Sequence, residues 1–77
     1  MIYIYDKSIM GCCNRREAVR RLIKPMPPGT FKLRNLRAFH GTPLAGATLV
    51  FTDDDTITRG CVEAGVPVEA IGPDNPN

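Results

Sequence analysis

The chain has 77 residues, 43% hydrophobic and 23% charged, with ten Lys/Arg, eight Asp/Glu and a formal net charge of +2. That length holds one domain, which buries about 60% of the surface its unfolded form exposes, and excludes a second. The composition is ordinary for a globular protein, no long polar or repetitive tract argues for disorder except at the C-terminus, and the opening MIYIY meets Asp6 too soon to be a signal-peptide core or a membrane span.

In chain order, Ile2 to Tyr5 is β-branched and aromatic without polar alternation, which predicts a strand covered on both faces. Asp6 to Gly11 follow as a loop. Asn14 with Glu17 three positions later approximates a capping box, so a helix is expected from there to Lys24, where Pro25 stops it. At 100° per residue, Ala18, Val19, Leu22 and Ile23 share one arc, and Arg16, Glu17, Arg20, Arg21 and Lys24 lie opposite. Three prolines make residues 25 to 30 a stiff turn. Phe31 to Leu36 predicts a second strand with Lys32 and Arg34 on its outer face. Residues 38 to 46 are punctuated by Gly and Pro, with room for one helical turn.

Ala47 to Thr52 predicts a third strand, and Asp53 to Asp55 then supply negative charge to the N-terminus of a helix from about Thr56 to Ala64. Gly65 suits the position after that helix, Val66 and Pro67 open a last strand through Ile71, and residues 73 to 77 should fray. The expected fold is a single α/β domain over residues 1 to 72. Its pattern is β-α-β, a loop, then β-α-β, giving a mostly parallel four-stranded sheet of order 2-1-3-4 with two helices. That order puts the ends of strands one and three side by side, the crevice where open α/β sheets usually bind ligands. It would also set the loop of Cys12 and Cys13 opposite Asp53 to Asp55.

Charge is divided along the chain. Residues 1 to 40 hold nine Lys/Arg against Asp6 and Glu17, whereas residues 41 to 77 hold Arg59 alone against Asp53, Asp54, Asp55, Glu63, Glu69 and Asp74. Such asymmetry points to an acidic or nucleic-acid partner, unless the two halves neutralise each other in the fold. Arg15 and Arg16 fall in the first helical turn, where the macrodipole disfavours cations and free N–H groups await an acceptor. Gly11, Cys12, Cys13, Asn14, Arg15 and Arg16 are therefore candidate anion-binding residues, with Arg20, Arg21 and Lys24 continuing the basic face.

Cysteine supports no framework: Cys12, Cys13 and Cys61 are odd in number, and a cytoplasmic chain keeps them reduced. A strand, a cysteine loop and a helix, about fifteen residues, superficially resemble cysteine-phosphorylated sugar-phosphotransferase B subunits and low-molecular-weight tyrosine phosphatases. That resemblance implies a phosphoryl group cradled in the loop. The phosphatase pattern needs an arginine six positions after the nucleophile, where this chain has Ala18 or Val19, so no catalytic residue is assigned. Cys61 reads as buried packing and His40 as a loop residue, without zinc spacing. Asp53 and Asp55 are weakly similar to the acidic pair of toprim domains, with Asp6 as a third acid. Helix capping is the simpler reading, and no metal or cofactor is expected.

The sequence thus predicts a small cytoplasmic, non-enzymatic interaction or regulatory protein, an adaptor or inhibitor such as viruses and mobile elements encode. It would bind an acidic protein partner through its Arg-rich helix. The alternatives are a nucleic-acid, phosphate or nucleotide binder at the strand-one loop, and a thiol-dependent phosphoryl-transfer or redox enzyme using Cys12 or Cys13. Exposed sheet edges would permit a homodimer, and no membrane association is expected.

Overall fold

A computed structural model describes residues 1–6, 17–40 and 46–72. The elements run β1 (Ile2–Tyr5), α1 (Glu17–Ile23), β2 (Phe31–Arg34), a 3-10 turn (Leu36–Ala38), β3 (Leu49–Thr52), α2 (Asp55–Ala64) and β4 (Val68–Glu69). All pairings are parallel and the sheet order is β2-β1-β3-β4, the α/β arrangement expected. The expected loop of residues 7 to 11 and the fraying tail lie outside the described residues.

Register explains why β1 carries no alternation. Ile4 aligns with Leu33 and Phe51, while Tyr3 aligns with Lys32 and Val50, and Tyr5 with Arg34 and Thr52. Ile4 and Phe51 join Val19 of α1 in one buried cluster, and Tyr3, Tyr5 and Val50 join Ile57 and Cys61 of α2 in another. Because successive side chains of a strand point to opposite faces, α1 and α2 cover opposite sides of the sheet. The central strand is therefore sealed on both: Ile4 is fully buried and Tyr5 is 1% exposed.

Several boundaries differ from the sequence expectation. Strand β2 ends at Arg34 rather than Leu36 because the Asn35 side chain accepts the Arg37 N–H at 2.9 Å and turns the chain into the 3-10 turn. A 3-10 turn lies at Leu36–Ala38, and residues 41–45 of the stretch in which one helical turn was expected lie outside the described residues. Helix α2 starts at Asp55, one residue before Thr56, since Asp54 caps it by accepting the Ile57 N–H at 3.0 Å. Strand β3 begins at Leu49 rather than Ala47. Strand β4 covers only Val68–Glu69 because the N–H groups of Ile71 and Gly72 donate to Asp53 Oδ1, at 2.9 and 3.1 Å, and leave the ladder.

Gly65 ends α2 at φ 74°, ψ 21°, the left-handed region that a side chain disfavours, and its N–H donates back to the last turn. A Cβ there would meet no atom within 4 Å, so an alanine is penalised by backbone conformation alone. We expect Gly65→Ala to destabilise the domain by about 1–2 kcal/mol. Urea denaturation would show a lower midpoint at unchanged slope.

Candidate functional site

In an all-parallel sheet every strand ends at the same edge. Here β1 and β3 lie side by side while their connections leave toward opposite faces, α1 to one and α2 to the other, which defines the switch point of the fold. Tyr5, Asp6 and Thr52 line this edge, 1%, 3% and 2% exposed. Asp53, Asp54 and Asp55 follow directly.

Two of the three aspartates have backbone tasks. Asp54 caps α2, its own N–H donates to Thr52 Oγ1 at 3.2 Å, and its carbonyl accepts the Thr58 hydroxyl at 2.9 Å. Asp53 holds the chain after β4 through Ile71 and Gly72. Asp55 is exposed in the first turn of α2, where negative charge suits the helix dipole. Among the described residues no His, Cys, Asp and Glu side chains cluster as metal ligands.

Gly11, Cys12, Cys13, Asn14, Arg15 and Arg16 lie outside the described residues, and with them the expected first-turn anion site. The rest of the basic helix is where its periodicity puts it. Ala18 and Val19 are buried, Leu22 and Ile23 half-buried, and Arg20, Arg21 and Lys24 exposed. Since α1 joins two parallel strands, it runs back against them, so these cations sit toward the sheet edge remote from the aspartates. Arg20 and Arg21 occupy the last turn, where cations complement the helix dipole. Arg21 Nε also lies 3.8 Å from Glu17 Oε2, with both side chains about half exposed, a solvated pair contributing about 0–1 kcal/mol.

Arg34 departs from expectation. Lys32 is exposed as predicted, but Arg34 is half-buried, because residues 36–39 turn back over the end of β2 and cover the face where it was expected to meet water. Its Nε is buried without a hydrogen-bond partner, and so is the hydroxyl of Tyr5, its registered neighbour on β1. The Tyr5 ring is fixed by Phe39, edge-on at 5.7 Å between centroids, and by Tyr3 at 6.5 Å. Alternation read along one strand could not reveal this pair; only cross-strand register brings it together.

Burial pushes the Tyr5 phenol above its ordinary value, with the Arg34 charge pulling the other way, and burial likewise raises the Cys61 thiol. Cys61 is fully buried and free, so it packs as a small apolar residue, as its position on α2 suggested. Comparison with protein-family models, with curated proteins and with solved structures finds no match to any of them.

Both raised values set the sign of alkaline sensitivity. The folded state holds the Cys61 and Tyr5 protons more tightly than the unfolded chain, so unfolding releases protons at high pH. The contribution of these two groups should be flat below their ordinary thiol and phenol values, 9.0 and 10.0, and fall as pH rises beyond them. Urea titrations across that range would show a shallower decline for Cys61→Ala from the thiol range upward, and for Tyr5→Phe only from the phenol range upward.

Proposed function

We propose that this is a cytoplasmic, non-enzymatic interaction protein, a regulator, adaptor or inhibitor, that binds an acidic protein partner through the exposed cations of α1. The observation supporting this reading is the segregation of charge by the sheet order. Among the described residues, Arg20, Arg21, Lys24, Lys32, Arg34 and Arg37 belong to the half built from β1, α1, β2 and the 3-10 turn, with Asp6 and Glu17 as its acids. The half built from β3, α2 and β4 carries Asp53, Asp54, Asp55, Glu63 and Glu69 against Arg59 alone. A division of this kind creates a directional field that steers association with a negative surface.

Support for a protein partner over a nucleic acid comes from the aromatic residues. Tyr3, Tyr5 and Phe51 are buried, and Phe31 and Phe39 are partly buried against the two cores, so no aromatic ring stands fully exposed as a base-stacking platform. No described helix is long and apolar enough to cross a membrane.

Binding to a fluorescent polyglutamate peptide, measured beside a single-stranded DNA of equal charge, tests this reading. The peptide should bind with an affinity that falls steeply as salt rises, since the Debye length shrinks to about 8 Å at physiological ionic strength. Changing Arg20, Arg21 and Lys24 together to alanine should weaken it at least tenfold with little change in unfolding midpoint. Preferential DNA binding, or peptide binding indifferent to the triple substitution, refutes the proposal.

A further inference from the structure

We propose that Tyr5 Oη and Arg34 Nε form a donor pair that takes up the carboxylate of a small ligand at the end of β1 and β2, on the α2 side of the sheet. The argument begins with hydrogen-bonding capacity. Both atoms are buried and neither has a partner. A buried polar group left unsatisfied is costly, and native structures tolerate few of them. Here two stand on residues in direct register across adjacent strands.

Internal pairing cannot remove the deficit. Arginine Nε–H is a donor only, and the phenol is one donor with acceptor capacity on the same oxygen. If Arg34 gave its hydrogen to Tyr5, the hydroxyl hydrogen would still need an acceptor. Thr52, on the other side of Tyr5, accepts the Asp54 N–H on its hydroxyl oxygen and makes no hydrogen bond to the phenol. Burial also keeps Tyr5 protonated, so the pair presents two hydrogens.

The charge of Arg34 selects the acceptor. Among the described residues no ion pair joins Arg34 to a carboxylate, and its charge favours an anionic acceptor. One cation balances a carboxylate, whereas a phosphate group, near −1.5 to −2 at neutral pH, would bring uncompensated charge into a buried place. A guanidinium N–H beside a second donor holds a carboxylate with directional, charge-assisted hydrogen bonds. Tyr5 is immobile between Tyr3 and Phe39, so Arg34, half-buried on the edge strand, is the member that swings outward to admit the ligand.

This site lies on the face opposite α1 and does not depend on the α1 cations, so the two proposals fail separately. Acetate is the probe, titrated into nitrogen-15-labelled protein at constant ionic strength with chloride as the balance. The Arg34 Nε–H resonance, assigned by its loss in Arg34→Gln, should shift saturably with acetate, and inorganic phosphate should shift it at least tenfold less effectively. Tyr5→Phe should weaken acetate binding at least tenfold while leaving the unfolding midpoint without acetate unchanged or higher, because the hydroxyl has no internal partner. A linear response to acetate, equal potency of phosphate, or a Tyr5→Phe protein less stable in the absence of acetate overturns the assignment. The last result would mean that the hydroxyl is satisfied within the protein.

Discussion

Parallel pairing of β1 with β2 on one side and β3 on the other is the constraint from which the rest of the structure follows. A strand in that position has neighbours along both edges and a helix over each face, so its side chains must all be apolar or satisfied. Ile4 meets that demand outright, and the Tyr5 ring meets it while its hydroxyl is left without a partner; burying each apolar body is worth on the order of 1.5–3 kcal/mol against leaving it in water. For a domain this small, whose net stability is only about 0.05–0.15 kcal/mol per residue, either contribution is a large fraction of the total. The two helices are placed by the same strand: α1 by the row of Ile4, α2 by the rows of Tyr3 and Tyr5.

That placement also assigns the aspartates. Strand β3 must end beside β1 and hand the chain to α2, and the carboxylates after it are consumed in making the handover, Asp54 as the cap and Asp53 as the anchor of the chain after β4. An acidic run that could have been read as a cation site instead carries five backbone N–H and side-chain hydroxyl contacts at Asp53 and Asp54. The same contacts explain why β4 is so short: a strand whose next amides are claimed by a carboxylate cannot extend its ladder.

Sequence periodicity carried most of this architecture because each element is simple: β1 and β3 are uniformly apolar, α1 splits cleanly between Val19 and the arginines, and Gly65 marks the end of α2. These signals also sufficed for the strand order. What periodicity could not carry was anything decided between strands. Arg34 alternates with Leu33 as an outward residue should, yet the turn at Asn35 folds Phe39 over it and its true neighbour is Tyr5, 29 positions earlier. The capping role of Asp54 was legible in kind, as acids before a helix. Asp53 was legible only as one of three like residues, since its partners lie 18 and 19 positions away.

The order β2-β1-β3-β4 has a last consequence for charge. Had the strands interleaved, as in 1-3-2-4, the basic first half of the chain and the acidic second half would alternate across the sheet and neutralise each other at close range. Instead β2 and β4 are the two edges, separated by three strand spacings, about 14 Å. At that separation a pair of unit charges in water attracts by only about 0.3 kcal/mol, below thermal energy, so the edges cannot quench one another within the molecule. The sequence asymmetry is thereby preserved as a spatial one, set by the strand order rather than by any single arginine.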